Sequence, residues 1–338
     1  MNVYETFSRD FEGYIFRKCE EFTNIEDLYL VEMYHYAISS GRRYRPMLVL
    51  TGWLLGKDTY NDLTIALATA IEFIHKYSLI LDDYVDNDTL RRGQQTFFSK
   101  YGRDNAQALS AYLMNLFFKE LNQIKAMVGS QRQLMEIDRL YEQILSDMSV
   151  GFICDLNQHS KDLRGVKKIS AMQTSTLLRN SLMIGYCASQ DNLSLDNSQI
   201  YQLLYDLGDR IGTVFQAYND LEMFFGKDYQ MANKGILYSD FAYNRKNILI
   251  EKVPKQVRDS RNTTELVNYI NRNGLIRIVF DEILQELQRI ETILNSFPER
   301  SAGTLFLNRF LLKKKSVLLS LSTKELSLFN DTSKISAI

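Results

Sequence analysis

A long apolar segment that ends in carboxylates constrains this chain more than any other feature of its sequence. Residues 63–81 are mainly apolar and lead directly into Asp82-Asp83-Tyr84-Val85-Asp86. Apolar side chains recur in this segment at steps of three and four, which is the pattern of a buried helix. Glu72, His75 and Lys76 interrupt the apolar run, so a membrane span is disfavoured. The segment predicts a core helix whose C-terminal end carries paired carboxylates.

The same periodicity extends over most of the chain and predicts an all-α fold. The acidic segment lies on a predicted helix at residues 64–86, and further helices are predicted at 104–127, 130–155, 167–188, 197–225 and 274–296. The 338 residues include only 16 Gly and 3 Pro, where average usage would give roughly 24 and 17. We therefore expect one bundle of about ten or more helices over residues 1–325 and a frayed tail at 326–338.

Charge and cysteine usage exclude several classes of function. The formal charge is −1, with 40 basic and 41 acidic residues, so no overall field favours nucleic acid or an anionic membrane. Any bound anion must be held by a local cluster. Cys19, Cys154 and Cys187 are too widely spaced for a disulfide framework or a zinc site. Because the N-terminal segment is also unlike a signal peptide, we predict a cytoplasmic protein without a stable membrane span.

The acidic end of the predicted core helix has the composition of a metal–diphosphate site. Asp82 and Asp86 are four residues apart and project from one face, with His75 two turns earlier on the same side. Unpaired buried carboxylates are costly, and Mg²⁺ offsets that cost by taking one or two carboxylates together with phosphate oxygens. Arg91 and Arg92 follow the helix and offer donor forks for phosphate.

A second basic cluster precedes another apolar run. Gly41-Arg42-Arg43-Tyr44-Arg45-Pro46 opens the segment MLVLTGWLL, so its arginines lie near a predicted helix N-terminus, where backbone amides favour anions. Taken alone, the cluster is more typical of a charged surface than of a binding site.

Together the two clusters resemble the trans-isoprenyl diphosphate synthases, the family of farnesyl and geranylgeranyl diphosphate synthases. That family has GKRxRP where this chain has GRRYRP at residues 41–46. It then has a His seven residues before DDxxD, followed by RRG. His75, Asp82 to Asp86 and Arg91-Arg92-Gly93 match in order and spacing. The resemblance spans residues 41–312 and is strongest in the first third. It implies the isoprenoid synthase fold, a helical bundle around a central cavity.

The resemblance weakens in the second acidic motif and just before it. Gln173-Thr174 stands where the family has Lys-Thr, so a positive charge is lost. The family motif FQxxDDxxD reads here FQAYNDLEM, with Asn219 and Met223 in place of two aspartates. Asn offers Mg²⁺ a neutral oxygen, whereas Met offers a soft sulfur that Mg²⁺ disfavours.

The resemblance implies a magnesium-dependent condensation of isopentenyl diphosphate with an allylic diphosphate. It implies that isopentenyl diphosphate is bound by Arg42, Arg45, His75 and Arg92, metal by Asp82, Asp86 and Asn219, and the allylic diphosphate by Arg91, Gln173, Thr174, Lys234 and Arg245. By the same resemblance, Asp83, Gln216 and Asp220 belong to the catalytic centre. Tyr77 stands five positions before the first Asp, where its large ring predicts a C15–C20 product. A homodimer is the family's usual state.

Two other functions stay open at this point. A class I terpene cyclase has the same fold and a second motif of the form NDxxSxxxE. Asn219-Asp220 begins that pattern, but Met223 and Lys227 occupy its Ser and Glu positions. A cyclase has no need of an isopentenyl diphosphate pocket, which favours the synthase. The altered second motif also permits a weakly active or non-catalytic partner subunit of a hetero-oligomeric synthase, although the intact first motif argues against it.

Overall fold

The architecture is all-α, as the sequence predicts. A computed structural model describes residues 3–18, 28–39, 41–156, 163–190, 199–224, 227–242, 245, 247–260, 262–297 and 303–308. Within these ranges the chain forms sixteen α-helices up to residue 295, a short helical segment at 303–308, one π-helix and one two-stranded hairpin. The predicted frayed tail at 326–338 lies outside the described residues, and the extent of the domain, 1–325, stays a prediction.

The elements are numbered in chain order. The helices are α1 (Val3–Arg17), α2 (Leu28–Ser39), α3 (Tyr44–Trp53), α4 (Asp62–Asp86), α5 (Phe97–Tyr101), α6 (Arg103–Met127), α7 (Gln131–Leu156), α8 (Leu163–Ser170), α9 (Thr176–Ser189), α10 (Gln199–Glu222), α11 (Lys227–Lys234), α12 (Ser239–Ala242), α13 (Ile248–Glu251), α14 (Lys255–Asp259), α15 (Thr263–Arg272) and α16 (Leu275–Asn295). The π-helix (Ala171–Ser175) separates α8 from α9, and the strands β1 (Leu90–Arg91) and β2 (Gln94–Gln95) lie between α4 and α5.

Helix α4 is the core helix that the apolar segment predicts. A capping box fixes its start, because the Thr64 amide donates to the Asn61 side chain and the Asn61 amide donates to the Thr64 hydroxyl. Every residue from Thr64 to Ile74 is buried, and the helix packs mainly against α6 and α3. It ends at Asn87, whose φ of 55° is the left-handed conformation that commonly stops a helix.

The hydropathy of α4 also reflects its place in the core. In the described part of the chain, it is the helix whose length and composition would suit a membrane span. However, 72% of its most apolar window is buried inside the protein. Burial of apolar surface within the bundle therefore accounts for this apolar run.

Helices α3 and α9 cross so closely that glycine is required on both sides of the contact. A Cβ on Gly52 would lie 2.0 Å from the carbonyl oxygen of Leu182, and one on Gly185 would lie 1.9 Å from that of Val49. All of α9 is buried. The crossing therefore fixes α3, whose first two residues belong to the basic cluster of residues 42–45, against the buried helix α9.

Most of the predicted helices are confirmed, with ends that differ by one to three residues. The exception is the helix predicted at 167–188, which consists of α8, the π-helix and α9 in direct succession. The π-helix lies where α10 approaches closely, since a Cβ on Gly212 would lie 2.4 Å from the Cα of Ser175. π-Helices are often found at functional sites, and this one carries Gln173 and Thr174.

Candidate active site

A cavity of about 1320 Å³ brings the predicted site residues together. Two of them, Tyr77 and Asp83, are described by the structure but do not line the cavity. The residues that line it include Arg42, Arg45, His75, Asp82, Asp86, Arg91, Arg92, Gln173, Thr174, Gln216, Asn219, Asp220, Lys234 and Arg245.

The C-terminal turn of α4 presents two carboxylates to this cavity. Asp82 and Asp86 line it, and burial, together with the negative charge of Asp82, raises the pKa of Asp86 to about 7. Asp83 points into the protein instead, where burial raises its pKa to about 6. Its carboxylate accepts a 2.7 Å hydrogen bond from Arg91. Two carboxylates thus face the cavity, and the third holds an arginine.

A tight hairpin positions the two arginines that follow α4. Strands β1 and β2 pair in antiparallel register, and the turn residues Arg92 and Gly93 have φ values of 56° and 77°. Positive φ at both positions is what a type I′ turn requires. It is uncommon for a residue with a side chain, and such strain often marks functional sites. Arg91 donates to Asp82 and to Asp83, both at 2.7 Å.

The GRRYRP segment divides its arginines between the core and the cavity. Arg43 has a φ of 51°, and its guanidinium group is buried, donating to Glu72 at 2.6 Å and to Glu12 at 2.7 Å. Arg42 and Arg45, on either side, line the cavity. The segment therefore supplies one buried arginine paired with two glutamates and two cavity-facing cations.

Arg45 and His75 form a polar pair with unmet hydrogen-bonding capacity. The Arg45 Nη1 lies 2.9 Å from the His75 Nε2. Burial and the charge of Arg45 hold the pKa of His75 well below its usual value, so the imidazole is neutral and its Nε2 accepts. Among the described residues, the His75 Nδ1 and the Arg45 Nε have no hydrogen-bond partner. An anion with several oxygens would satisfy such donors.

The π-helix connects the cavity wall to α10. The Thr174 hydroxyl donates to the Gln216 side-chain oxygen at 2.9 Å, and the Gln216 amide donates to Asp220 at 2.8 Å. Gln173 lies over Gly151 of α7, where an added Cβ would be 2.8 Å from the Gln173 Cγ. Close packing on glycine therefore places Gln173 against α7.

Asn219 and Asp220 have different surroundings despite being adjacent. Asn219 is exposed on the cavity wall. Asp220 is buried, which raises its pKa to about 7, and it accepts from the Ile248 amide of α13 at 2.8 Å. The Asn247 side chain donates to the Asp220 carbonyl at 3.0 Å and approaches the Met223 sulfur at 3.4 Å. Asp220 and Met223 thus hold the start of α13, and a direct catalytic role for Asp220 stays a prediction.

Asp88 is a site residue that sequence reasoning missed. It is buried beside the cavity, and its carboxylate accepts from Lys234 at 2.7 Å and from Arg245 at 2.6 Å. Burial favours a higher pKa for Asp88, but hydrogen bonds and charge from Arg245 and Lys234 outweigh it and hold the pKa below its usual value. In the sequence, its position two residues beyond the acidic motif indicates that it could belong to the site. Polar residues at a helix end are usually solvated, so the signal is weak.

Tyr44 and Glu222 also belong to the cavity wall and were not predicted. Arg42 donates to the Tyr44 hydroxyl at 3.3 Å, and the Tyr44 ring packs edge-on against Phe215, with 5.4 Å between ring centroids. The Tyr44 hydrogen bond and, less strongly, the Glu222 carboxylate raise the pKa of Arg42. Both residues occupy variable positions of their motifs, so the motifs alone could not indicate them.

The donors at the end of α4 fit a hard divalent cation shared with a diphosphate. Asp82 and Asp86 share one cavity-facing helix turn, and the raised pKa of Asp86 reflects negative charge and burial that a cation would offset. The described residues contain no group of three or more His, Cys, Asp or Glu side chains arranged to hold a metal ion. A cation here would need oxygens from a ligand, as Mg²⁺ commonly does.

An all-α bundle whose carboxylates and guanidinium groups face one large cavity has the architecture of the isoprenoid synthases. The chain belongs to the polyprenyl synthetase family, whose sequence profile matches residues 27–286. It is 29% identical over 242 residues to a farnesyl diphosphate synthase of Buchnera aphidicola subsp. Acyrthosiphon pisum, which covers 70% of this chain and 84% of that protein. It is 31% identical over 203 residues to the Escherichia coli farnesyl diphosphate synthase. That match covers 57% of this chain and 65% of the Escherichia coli protein.

Solved structures confirm the fold. The heptaprenyl diphosphate synthase of Staphylococcus aureus superimposes with a TM-score of 0.77 at 18% identity, over 96% of this chain and 99% of that one. A geranylgeranyl pyrophosphate synthase from Corynebacterium glutamicum, crystallised with isoprenyl diphosphate and magnesium, superimposes with a TM-score of 0.73 at 16% identity, over 93% and 99%.

Proposed function

We propose that this protein is a short-chain trans-prenyltransferase, which condenses isopentenyl diphosphate with an allylic diphosphate to give a C15–C20 prenyl diphosphate. The observation that carries the proposal is a basic pocket of Arg42, Arg45, His75 and Arg92, which lines the same cavity as Asp82 and Asp86. Two separate anion-binding regions in one cavity suit a reaction between two diphosphates. Family membership and relatives named farnesyl diphosphate synthase support this function.

In the proposed reaction, the allylic C–O bond breaks and the diphosphate leaves with the electron pair. The double bond of isopentenyl diphosphate attacks the allylic cation to form a C–C bond, and the proton lost from the product passes to the released diphosphate. This sequence requires no nucleophile from the protein. Bound Mg²⁺ would neutralise the charge of the leaving diphosphate.

The residues at the end of α4 would hold the metal and the allylic diphosphate. Asp82 and Asp86 would supply carboxylate oxygens, and Asn219, across the cavity, would supply a neutral carbonyl oxygen. The leaving diphosphate would be bound by Arg91, Gln173, Thr174, Lys234 and Arg245. Asp83 would orient Arg91, and the Thr174 hydroxyl would exchange its Gln216 acceptor for a diphosphate oxygen.

The second substrate would occupy the basic pocket. Arg42, Arg45 and Arg92 would bind the isopentenyl diphosphate through charge-assisted hydrogen bonds. Neutral His75 would donate through Nδ1, because Arg45 occupies its Nε2. A neutral imidazole adds a directed hydrogen bond without another buried positive charge, which suits a site with three guanidinium groups nearby.

We also propose that Tyr77 influences the length of the product. Tyr77 is partly buried in the core and does not line the cavity, whereas its neighbours Ser78 and Leu79 do. Tyr77 would therefore limit product length indirectly, because its core packing would hold Ser78 and Leu79 in place on the cavity wall. We also propose a cytoplasmic location and a homodimer, to be tested by fractionation and by sedimentation equilibrium.

Product analysis tests the proposed function. Purified protein is incubated with Mg²⁺ and dimethylallyl, geranyl or farnesyl diphosphate, with and without isopentenyl diphosphate. A synthase elongates the allylic substrate only when isopentenyl diphosphate is present. Hydrocarbon or alcohol from the allylic substrate alone would identify a cyclase, and no turnover in any mixture would favour a partner subunit.

A variant of Arg45 tests the proposed pocket for isopentenyl diphosphate directly. Arg45→Met should raise the KM for isopentenyl diphosphate by about tenfold or more, because a charge-assisted hydrogen bond is lost. The KM for the allylic substrate should change little. Arg9→Met removes an exposed arginine on α1 and serves as the matched control. Equal effects on both KM values would contradict the assignment of the pocket.

A further inference from the structure

Asp88 is placed by the way α4 ends. Asn87 adopts a φ of 55°, and the next amide, that of Asp88, bonds to the Asp83 carbonyl at 3.1 Å. This left-handed stop turns the chain back on itself. The Asp88 side chain is consequently buried, with 5% of its surface exposed. A carboxylate that is buried to this degree needs cationic partners.

Two cations from a distant part of the chain meet on this carboxylate. Lys234, the last residue of α11, donates to Asp88 at 2.7 Å. Arg245 donates to both carboxylate oxygens, at 2.6 and 3.3 Å. The hairpin supports the same contact, because the Gly93 amide bonds to the Asn233 carbonyl at 3.3 Å. Asp88 therefore joins the end of α4 to the segment that carries both cations.

The two cations differ in how much of their hydrogen-bonding capacity remains. Arg245 also pairs with the Asp86 carboxylate at 3.2 Å and donates to the Asp86 carbonyl at 2.8 Å, so all three of its nitrogens contact Asp86 or Asp88. Lys234 has three ammonium donors and a side chain that is 32% exposed where it lines the cavity. Arg245 thus clamps the acidic end of α4, and Lys234 presents a cation to the cavity.

We infer that Asp88 is a positioning residue for the allylic diphosphate: its carboxylate holds Lys234 and Arg245 at a fixed place beside Asp86. This inference rests on the proposed function, and it assigns a role to a residue outside the acidic motif. The carboxylate acts through the two cations and not on the substrate. Without it, Lys234 would lose its fixed orientation, and Arg245 would lose its hydrogen bonds to both Asp88 carboxylate oxygens.

Binding measurements test this role independently of turnover. The probe is a thiolo-diphosphate analogue of geranyl diphosphate, which does not ionise, titrated calorimetrically in the presence of Mg²⁺. Asp88→Asn should weaken its binding by about tenfold, the size of one charge-assisted hydrogen bond. Binding of isopentenyl diphosphate should be unchanged, because its proposed ligands do not contact Asp88. Unchanged or tighter binding of the analogue would overturn the inference, as would equal losses for both ligands.

A matched control separates positioning from stability. Glu120 is a carboxylate as buried as Asp88, and it pairs with Lys18 at 3.2 Å between α1 and α6. Glu120→Gln should lower the melting temperature yet leave analogue binding unchanged. If it weakens analogue binding as much as Asp88→Asn does, general destabilisation explains both results and the inference fails.

A double-mutant cycle shows whether Asp88 acts through Lys234. Asp88→Asn should cost less binding in a Lys234→Met background than in the wild type, because the two residues act as one unit. Additive losses would contradict positioning. Wild-type protein that binds no analogue would contradict both this inference and the proposed function. Wild-type protein that binds the analogue but forms no elongated product would contradict the proposed function alone, and the comparison of variants would still decide the role of Asp88.

Discussion

The charged side chains at the acidic end of α4 already neutralise one another in large part. Arg91 bridges Asp82 and Asp83, and Arg245 joins Asp86 to the neighbouring Asp88. An entering metal–diphosphate would therefore exchange partners with existing ion pairs. Because the pairs already hold the cations in place, less side-chain freedom would be lost when a ligand binds.

Asn219 offers a test of the metal assignment at a single residue. Asn219→Asp would add one negative charge at an exposed position on the cavity wall. The Mg²⁺ concentration for half-maximal activity should fall by about thirtyfold, the effect in water of one extra charge about 4 Å from a divalent ion.

Asn61→Asp is the control for that variant. It makes the same change at the other end of α4, where either residue caps the helix. It should leave the Mg²⁺ dependence as it is in the wild type. If Asn219→Asp behaves like this control, Asn219 is not close to the metal.

The sequence predicted which residue types form the site better than it predicted their individual orientations. The motifs identified Arg42 and Arg45, and both line the cavity. They could not show that the left-handed conformation of Arg43 turns its side chain to Glu72. Nor could they show that Asp88 meets Lys234, because that contact joins segments 146 residues apart. Such contacts depend on how the loops fold back, which periodicity does not encode.

Among the elements, α4 carries a buried polar group whose titration should be measurable. Lys76 is buried next to Glu72 and Arg43, with Glu12 and Arg92 also near. Burial lowers its pKa to about 8, whereas in the unfolded chain it stays near its ordinary value of about 10.4. Between these pH values the unfolded chain binds more protons, so the contribution of Lys76 to stability rises with pH.

Lys76→Met isolates this titration, because the variant lacks the ionising group. The unfolding free energy of the wild type minus that of the variant should increase from pH 8 to pH 10, by about 3 kcal/mol at most. Urea denaturation of both proteins at pH 7, 8, 9 and 10 measures the difference. A difference that is flat across this range, or that falls, would show that Lys76 is not buried as the structure has it.

The contact between α3 and α9 makes a second prediction about an element. Gly185→Ala would place a Cβ 1.9 Å from the Val49 carbonyl oxygen, so the helices would have to separate. We expect a loss of about 3 kcal/mol or more in unfolding free energy. Gly129→Ala, where nothing lies within 4 Å of the added atom, should change stability by less than about 0.5 kcal/mol. Equal effects of the two substitutions would refute the close crossing.

Helix periodicity located the longest helices but not the interruption of one predicted helix. Apolar steps of three and four continue from α8 into α9, so a single helix was predicted there. The π-helix lies at the tertiary contact between Ser175 and Gly212 of α10, and a local sequence pattern does not register such a contact. The type I′ turn at Arg92-Gly93 is likewise evident only from its backbone angles.

At the scale of the whole molecule, the cavity is assembled from segments that are distant in the chain. Residues of GRRYRP, of the acidic end of α4, of the π-helix and of α10 line it, and so do Lys234 and Arg245. Each motif alone was ambiguous, and their convergence on one cavity is what supports a two-substrate reaction. The second acidic motif departs most from the family pattern. There, Asp220 and Met223 hold α13, and Asn219 faces the cavity.

The mass of the product formed from isotopically labelled isopentenyl diphosphate tests the proposed condensation most directly. With Mg²⁺ and unlabelled dimethylallyl diphosphate, we expect prenyl diphosphates that carry one labelled five-carbon unit for each condensation and accumulate at C15–C20. Product that lacks the label, or an allylic substrate that is consumed equally well without isopentenyl diphosphate, would contradict the proposed function.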